Sequence, residues 1–456
     1  MTERMTATLS DVRTHAAASA SSQCWCQLLD RMNSAQATVG IIGLGYVGLP
    51  LAVAFARKGI RVVGFDVDKT KVGGLAAGQS YVLDVPSAEL AEVVSKDTFT
   101  ATADIEALRS ADAIIICVPT PFAVDRAPDL SYIENAGHAI AKILRHGQLI
   151  ILESTTYPGT TEELLVPILE ETGLKVHEDF EVAFSPERID PGNTTYHVEN
   201  TAKVVGGLGD TAGDLAAALY GSVVEKVVKV DSPRDAEMAK LIENTFRQVN
   251  IALANELALI SNKMGVNIWQ AIDAAASKPF GFMPFYPGPG VGGHCIPIDP
   301  HYLSWKAKEM GCEISFIELA EKINRSMPAH VVRLVTVALA QSGKSTIGAK
   351  VLLLGVSYKR DIDDLRESPA LAIIDLLCEA RVNVSYHDPY VPVYRYSGKE
   401  ITSVHLDAEV LAASDCAVLV TDHSSFDKDM IVEHSQALVD TRNAFKDYAD
   451  DKIIRL

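Results

Sequence analysis

The chain has 456 residues, 48% of them apolar, and a formal net charge of −18 at pH 7. This length predicts two or three domains, and the acidic balance argues against nonspecific binding to nucleic acid or to a membrane surface. No apolar run reaches the roughly twenty residues that a membrane-spanning helix needs. The seven cysteines are scattered and do not form a disulfide framework, so we expect a reducing, cytoplasmic compartment.

The first 35 residues differ from the rest of the chain. The stretch 14–22, rich in Ala and Ser, has no apolar periodicity. The segment also lacks the apolar core of a signal peptide. We therefore predict a flexible extension over residues 1–35.

A glycine-rich turn follows this segment. A strand-like apolar run at 37–42 leads into Gly-Leu-Gly-Tyr-Val-Gly at 43–48, and helix-like sequence comes next. In a G-x-G-x-x-G turn the first glycine makes the tight bend, the second lets a pyrophosphate approach the backbone, and the third allows close helix–strand packing. Gly43, Gly45 and Gly48 hold these three positions.

An acidic residue completes the pattern of a dinucleotide site. Asp66 ends the next strand-like run, 60–65. A carboxylate about twenty residues after the glycine turn binds the ribose 2′-hydroxyl in such domains. Because its charge would repel a 2′-phosphate, Asp66 favours NAD over NADP. Strand, turn, helix and acid together predict NAD binding far more specifically than the glycines alone.

Further strand-like runs alternate with helical stretches as far as about residue 210, which is typical of a doubly wound parallel sheet. We assign residues 36–222 to this first domain. Ligands of such sheets collect at the carboxyl ends of the strands. The segments that directly follow three of the runs are Pro119-Thr120-Pro121, Glu153-Ser154-Thr155-Thr156 and Ser185-Pro186-Glu187-Arg188.

Residues 223–340 are predicted to form a central all-helical domain. Ser232 is a suitable N-cap, Pro233 a suitable first residue and Gly265 a suitable stop for a long helix. Lys240 and Asn244 share one face of this helix because they are four residues apart. A solvated face is the ordinary alternative for such a Lys.

Two more helical stretches are predicted in this domain, over 268–276 and over 302–339, the latter broken near Pro328. Because the long helix buries apolar residues on both sides, we expect it to form a dimer interface.

The loop Gly-Pro-Gly-Val-Gly-Gly-His-Cys-Ile-Pro-Ile-Asp-Pro, 288–300, places Cys295 four residues before Asp299. Glycines let a backbone approach a ligand, and prolines stiffen the loop that carries the thiol. The alternative is a buried packing cysteine in an ordinary turn.

A second α/β pattern begins at Lys350, and we assign 341–456 to this third domain. Its strand-like runs include 351–356, 382–386, 416–420 and 437–439. This part lacks the glycine fingerprint, so it need not bind a dinucleotide. The predicted fold class is α/β, with an N-terminal Rossmann-type doubly wound sheet, a central helical dimerisation domain and a second Rossmann-like domain.

Together these segments resemble the nucleotide-sugar 6-dehydrogenase family, the UDP-glucose and GDP-mannose dehydrogenase group, from about residue 38 to 445. The matching segments are Gly-Leu-Gly-Tyr-Val-Gly, Val-Pro-Thr-Pro, Glu-Ser-Thr-Thr, Ser-Pro-Glu-Arg, Glu-Met-Ala-Lys-Leu-Ile-Glu-Asn, Gly-Gly-His-Cys-Ile-Pro-Ile-Asp-Pro, Tyr-Lys-Arg-Asp-Ile-Asp-Asp-Leu-Arg-Glu-Ser-Pro and Asp-Thr-Arg-Asn. The resemblance implies oxidation of a sugar C6 alcohol to a carboxylate with reduction of two NAD. It also implies a homodimer or higher homo-oligomer, and no metal.

The resemblance further implies roles for individual residues. Cys295 would hold the covalent intermediate, Lys240 and Asn244 would donate to the oxygen on C6, and Asp299 and Glu187 would orient or deprotonate water. Either carboxylate could instead be a structural cap. Thr155 would contact water or the nicotinamide.

The implied ligand contacts fall into two groups. The NAD-binding group is Gly43, Gly45, Tyr46, Val47, Gly48, Asp66, Pro119, Thr120, Thr155 and Arg366. The substrate-binding group is Glu187, Arg188, Lys240, Asn244, Gly292, Lys359 and Arg442. Lys359 lies just before the acid-rich segment 361–367 and Arg366 lies within it, so a surface ion-pair cluster is the alternative for both.

The sugar is a finer question. His294, the Ile-Pro-Ile-Asp-Pro after Cys295 and the segment 185–193 are most similar to the branch that oxidises UDP-N-acetylglucosamine. UDP-N-acetylmannosamine, UDP-N-acetylgalactosamine and UDP-glucose are the competing substrates. Two other classes stay open, a two-electron β-hydroxyacid-type dehydrogenase and a non-catalytic sugar-nucleotide binder.

Overall fold

The computed structural model describes residues 23–82, 84–122, 127–190, 193, 195–396 and 399–456. The chain divides into two compact units, of which the first ends at Leu241 and the second comprises Ile242–Leu456.

A helix, α1, occupies residues 23–33, so the prediction of a flexible extension was wrong for this part of 1–35. Trp25, Leu28 and Met32 are buried in the core of the first unit. Their spacing of three and four residues places them on one helix face. The Ala- and Ser-rich stretch before them conceals this short apolar pattern. Residues 1–22, which carry the rest of the prediction, lie outside the described residues.

The first unit contains an eight-stranded sheet of order β3-β2-β1-β4-β5-β6-β7-β8. Its strands are β1 Thr38–Ile42, β2 Arg61–Phe65, β3 Phe99–Thr102, β4 Ala113–Ile116, β5 Gln148–Leu152, β6 Phe180–Phe184, β7 Lys203–Gly207 and β8 Val227–Val230.

The sheet departs from the predictions in two ways. Strand β7 pairs antiparallel with β6, so the sheet is not wholly parallel as expected. Strand β8 pairs with β7 and is a strand that the sequence analysis did not predict. Apolar run length carries no information on strand direction, and the exposed residues of β8 concealed that strand.

Helices cover both faces of this sheet. They are α2 Gly48–Arg57, α3 Lys69–Ala76, α4 Ser87–Ser95, a 3₁₀ turn at Ile105–Ser110, α5 Ser131–Ala141, a π turn at Thr161–Leu165, α6 Val166–Glu170 and α7 Asp210–Gly221. Alternate residues of β4 join opposite apolar cores, Ile115 one and Ile114 and Ile116 the other. A strand buried on both faces is continuously apolar, as this one is.

The helical segment comprises α8 Pro233–Met264, α9 Ile268–Ala276, α10 Asp299–Glu309 and α11 Ser315–Gln341. The predicted bounds of α8 and α9 are confirmed. The predicted break near Pro328 is wrong, because α11 continues through it and the interruption falls at Gly311, whose φ is 72°. Burial of the apolar face of α11, which includes Met327 and Val331, offsets the free energy lost with the backbone hydrogen bond that a proline cannot make.

The second sheet has the order β10-β9-β13-β14-β15 with parallel pairing throughout. Its strands are β9 Lys350–Leu354, β10 Asn383–His387, β13 Cys416–Leu419, β14 Leu438–Asp440 and β15 Ile453–Arg455; a hairpin adds β11 Val393–Tyr396 and β12 Lys399–Thr402. The helices are α12 Pro369–Glu379, α13 Ala408–Ala413 and α14 Lys428–His434. The predicted second Rossmann-like domain is confirmed. Among the described residues, no helix combines the length and apolarity that crossing a membrane requires.

Candidate active site

The glycine turn joins β1 to α2 and has the features of a nucleotide-binding loop. Gly43 has a φ of 93°, and a Cβ there would lie 2.6 Å from the carbonyl oxygen of Cys117. A Cβ on Gly48 would lie 1.9 Å from the carbonyl oxygen of Gly43. Around Gly45, in contrast, no described atom lies within 4 Å of a Cβ position. Packing therefore explains the first and third glycines, whereas the second leaves room for a ligand.

The predicted ribose-binding acid lies directly beside this turn. Asp66 accepts hydrogen bonds from the N–H of Leu44 at 3.1 Å and from the N–H of Asp68 at 2.9 Å. These contacts fix its carboxylate at the end of β2. Nearby, Tyr46 is half exposed and Thr120, after β4, is buried. The residues present thus fit an NAD, with Gly45 open to its pyrophosphate and Asp66 in place for its ribose.

Replacing Gly45 by Ala tests this fit. The backbone at Gly45 does not have a left-handed φ and the site is open, so we expect a melting temperature close to that of the wild type. The added methyl group occupies the approach of the pyrophosphate, and we expect the Kd for NAD to rise about tenfold or more. Titration calorimetry with NAD measures the affinity. Gly48→Ala is the contrast, since its methyl group overlaps the backbone and lowers stability first.

A buried charge cluster lies where β5 and β6 end and β7 begins. The Nζ of Lys203 donates to Oε2 of Glu187 at 2.9 Å and also to Oε1 of Glu153. The hydroxyl of Tyr220 donates to Oε2 of Glu153 at 2.9 Å. Oε1 of Glu187 accepts hydrogen bonds from the backbone N–H groups of Arg188 at 2.8 Å and of Ile189 at 2.7 Å. One ammonium therefore serves two carboxylates, and Glu187 is held at both oxygens.

Burial is the largest influence on the pKa values of Glu187 and Lys203 because it disfavours their charged forms. It raises the pKa of Glu187, which the N–H groups of Ile189 and Arg188 and the charge of Lys240 oppose. It lowers the pKa of Lys203 to about 7. The attraction between the ammonium of Lys203 and the carboxylate of Glu187 acts against burial for both of these groups.

Sequence reasoning gave no role to Lys203, Glu153 or Tyr220. A signal for Lys203 existed, because it is the charged residue of the otherwise apolar run 202–206, and a buried Lys needs a partner. Nothing in the sequence identifies that partner, since Glu153 and Glu187 are 50 and 16 residues away.

Lys240 and Thr155, both predicted site residues, meet in the first unit. The Nζ of Lys240 donates to the hydroxyl of Thr155 at 2.5 Å, and Lys240 is 7% exposed. A solvated helix face is thus excluded for this Lys. Arg188 donates from Nη1 to the carbonyl oxygen of Ala202 at 2.7 Å, which ties the segment after β6 to the start of β7.

In the second unit, Cys295 lies at the entry of α10. Its carbonyl oxygen accepts the N–H groups of Ile298 at 3.1 Å and of Asp299 at 2.8 Å. Cys295 is partly exposed, whereas Cys117 and Cys416 are buried, and burial raises the pKa of each of these two thiols to about 12. Cys295 is therefore not a cysteine of the apolar core.

Asn244 and Asp299 are in direct contact. The Nδ2 of Asn244 donates to Oδ2 of Asp299 at 2.7 Å, and the two residues are 9% and 1% exposed. An amide carries two N–H donors, and Asp299 takes one of them. The hydrogen bond fixes Asp299, the first residue of α10, against α8.

The loop before Cys295 is anchored at glycines. A Cβ on Gly292 would lie 2.7 Å from the Cβ of Tyr358, and the N–H of Gly293 donates to the carbonyl oxygen of Arg366 at 2.9 Å. The N–H of Gly288 donates to Oδ1 of Asn255 at 2.8 Å. Gly292 is thus required by packing, and Asn255 and Tyr358 are supports that sequence reasoning missed.

The remaining predicted residues lie around the second sheet. Arg442 donates from Nε to the carbonyl oxygen of Val420 at 2.9 Å, and burial lowers its pKa to about 10 against the pull of Asp422 and Asp440. It lines a cavity of about 520 Å³ together with Trp269, Tyr286 and Lys428. Arg366 is exposed and forms an ion pair with Asp364 at 2.6 Å, and Lys359 is partly exposed. The described residues contain no cluster of metal-ligating side chains.

The first unit, with its glycine turn and acid, defines an NAD-dependent dehydrogenase, and the C-terminal α/β part supplies a second nucleotide-binding type of sheet. Three models of the UDP-glucose/GDP-mannose dehydrogenase family match the chain, the NAD binding domain at residues 37–224, the central domain at 234–326 and the UDP binding domain at 352–447. The chain belongs to this family and is an NAD-dependent nucleotide-sugar dehydrogenase.

Curated relatives cover most of the chain. A UDP-N-acetyl-D-glucosamine 6-dehydrogenase from Pseudomonas aeruginosa is 39% identical over 406 residues, which is 88% of this chain and 93% of the relative. A UDP-N-acetyl-D-mannosamine dehydrogenase from Pyrococcus horikoshii is 38% identical over 390 residues, 85% of this chain and 90% of the relative. The solved structure of the Pyrococcus horikoshii UDP-D-ManNAc dehydrogenase matches with a TM-score of 0.83 at 36% identity, covering 92% of this chain and 98% of that one.

Proposed function

We propose that this enzyme oxidises the C6 hydroxyl of UDP-N-acetylglucosamine to a carboxylate in two NAD-dependent steps, with Cys295 as the covalent residue. The observation that carries the proposal is a partly exposed cysteine on a glycine-anchored loop, one turn from a buried Asp299 that accepts a hydrogen bond from Asn244 at 2.7 Å. A cysteine placed only for packing requires neither the exposure nor these neighbours.

Gly45 and Asp66 would hold an NAD, which would supply the oxidising chemistry by accepting hydride in both steps. Cys295 acts after the first step, when its thiolate adds to the C6 aldehyde. The thiohemiacetal keeps a C–H bond on a tetrahedral carbon, which a second oxidation requires. The product of that oxidation is a thioester, and water then displaces the sulfur, which yields the carboxylate and the free thiol.

Two donors stabilise negative charge on the oxygen of C6. Lys240 supplies an ammonium already aligned by Thr155 at 2.5 Å, and Asn244 supplies the N–H that Asp299 does not take. Such preorganised donors stabilise an oxyanion in the transition state more than the neutral oxygen before it. Glu187 and Asp299 are the carboxylates that orient water and accept its proton.

The identity of the sugar rests on resemblance. The segment 185–193 and His294 are similar to the UDP-N-acetylglucosamine branch, and one of the two relatives above carries that activity in its name. The other relative is named for the C2 epimer of that sugar. An enzyme can distinguish the two epimers by only one or two hydrogen bonds. UDP-N-acetylmannosamine is therefore the competing substrate. For the nucleotide we propose the cavity whose cations are Arg442, Lys428 and Lys446, which can bind a diphosphate beside the three carboxylates that also line it, Asp273, Asp422 and Asp447.

A substrate panel tests the proposal. Purified enzyme is mixed with NAD and with each of UDP-N-acetylglucosamine, UDP-N-acetylmannosamine, UDP-N-acetylgalactosamine and UDP-glucose, and NADH absorbance is followed to completion. We expect the highest kcat/KM for the first and two NADH per sugar. A single NADH per sugar indicates a two-electron dehydrogenase, and no reduction with any sugar indicates a non-catalytic binder.

We further propose that the enzyme is a homo-oligomer through one face of α8. Apolar side chains recur there every three to seven residues and are between 42% and 70% exposed, namely Ile242, Phe246, Leu253, Leu257, Ile260 and Met264. A contiguous exposed apolar stripe of this kind marks an interaction surface. The periodic spacing matches the seam of a helix pair, and a second copy of α8 offers the same stripe.

Replacing Leu253 and Leu257 by Glu tests this interface. We expect sedimentation to give the wild-type protein a mass of at least twice the 49.1 kDa of one chain. The double variant should have the mass of a single chain, because two charges buried at the interface oppose association. Glu256→Gln, at an exposed position between them, is the matched control and should leave the mass unchanged. A wild-type chain that sediments as a monomer at micromolar concentration contradicts the proposal.

A further inference from the structure

We propose that Lys203 is a positioning residue for the reaction, whose ammonium, shared between Glu153 and Glu187, keeps Glu187 ionised and fixes the carboxylate that accepts the proton. This inference rests on the catalytic role proposed above for Glu187. It adds that the charges of Lys203 and Glu153 determine the pH range in which Glu187 is ionised and can act as a base. Lys203 itself need not touch the substrate.

The contacts define the arrangement closely. Oε1 of Glu187 accepts two backbone N–H groups, at 2.7 and 2.8 Å, and Oε2 accepts the ammonium of Lys203 at 2.9 Å. Each carboxylate oxygen has two acceptor sites, so Oε2 retains one for a water molecule or a hydroxyl group. The side chain of Glu187 is therefore held in one orientation, and its Oε2 can still accept one more hydrogen bond.

The charge balance depends on Glu153. Lys203, Glu153 and Glu187 are 6%, 1% and 8% exposed, and together they carry one positive and two negative charges when ionised. Without the ammonium, two carboxylates remain buried side by side, and one of them must take up a proton because like charges and desolvation both oppose its ionisation. Without Glu153, the ammonium belongs to Glu187 alone and favours its ionised form more strongly.

Other titratable groups face this cluster from each neighbouring element. They are Cys117 after β4, Arg188 after β6, Tyr220 on α7 and Lys240 on α8. Burial raises the pKa of the Cys117 thiol to about 12 and raises that of Tyr220 well above its ordinary value, so both stay neutral near pH 7. Arg188 and Lys240 add positive charge beside Glu187, and the two substitutions below leave both residues unchanged.

The arrangement predicts shifts of opposite sign in two variants. A base must be deprotonated to act, so kcat rises with pH through the pKa of Glu187. This rising part of the pH profile is called the acidic limb. In Lys203→Met the acidic limb moves to higher pH by about one unit or more, so that kcat at a given pH on the limb falls about tenfold. In Glu153→Gln, which preserves side-chain shape, the limb moves to lower pH. In the double variant, which lacks both opposing charges, it returns toward the wild-type position.

The test combines kinetics with a direct titration. The kcat of the full-length enzyme is measured across pH for the wild type, the two single variants and the double variant, with Lys229→Met, an exposed Lys on β8, as the matched control. In parallel, ¹³C NMR of labelled Glu carboxyl groups follows Glu187, whose resonance is identified by its loss in Glu187→Gln. NAD affinity, measured for each variant, confirms an intact fold.

Opposite shifts in both the NMR titration and the kcat limb support the proposal. Shifts of the same sign, or no shift, overturn it, as does an NMR shift that the kcat limb does not follow. If Lys203→Met fails to fold, the downward shift in Glu153→Gln remains decisive. Because the NMR titration uses no substrate, an enzyme that oxidises none of the four UDP-sugars refutes the proposed function without deciding the charge balance.

Discussion

Replacing Cys295 by Ser will abolish uronate formation, with a fall in kcat of about 10³ or more, the scale seen when a catalytic nucleophile is removed. A thiolate is accessible near neutral pH, whereas a serine hydroxyl needs a general base to become nucleophilic. The measurement is steady-state NADH production with product analysis. The Kd values for NAD and for the UDP-sugar should stay within a few-fold of the wild type.

A matched substitution separates the thiol from the general effect of losing a cysteine. Cys312 is exposed, and Cys312→Ser should retain full activity. If Cys295→Ser still produces uronate at a rate close to that of the wild type, the covalent mechanism is wrong. If it releases aldehyde and one NADH, the first oxidation proceeds without the thiol and only the second depends on it.

Replacing Lys240 by Met is expected to lower kcat by about 10² to 10³, because it removes one of the two donors that we propose for the developing oxyanion. Methionine keeps the length and packing of the side chain, which is 7% exposed, so the fold should persist. The hydroxyl of Thr155 loses its partner at 2.5 Å and can bind water instead. Stopped-flow measurement of the first NADH reports the effect on the chemical step.

The control for this variant lies on the same helix. Lys263 is exposed near the end of α8, and Lys263→Met should leave kcat and KM unchanged. A loss confined to KM in Lys240→Met would mean that Lys240 binds substrate and transition state equally. A kcat within threefold of the wild type would remove Lys240 from the catalytic group.

Much of the architecture follows from local sequence signals. Ser232, Pro233 and Gly265 bound α8 where such residues are expected to start and stop a helix, and the structure places its ends at Pro233 and Met264. The turn at 43–48 also follows from local chemistry, since a side chain on Gly43 or Gly48 would overlap the backbone. Such features depend on a few consecutive residues, whose allowed backbone angles and capping atoms are properties of the segment itself.

Other features depended on residues far apart in the chain. The helix at 23–33 exists because Trp25, Leu28 and Met32 find a core formed by the first sheet. Pro328 stays within α11 because the apolar face around it is buried. In both cases tertiary burial outweighs a local preference, and a local reading therefore predicted an extension and a break.

The sequence by itself determined the two α/β patterns, the long helix, the NAD fingerprint and the candidate nucleophile Cys295. Each of these features depends on residues that are adjacent in the chain. Only the tertiary structure decided that β7 runs antiparallel to β6 and that Lys203 joins Glu153 to Glu187. Strand direction and charge pairing are set by which distant segments pack together, and the free energy of burying a charge depends entirely on the partner that folding brings to it.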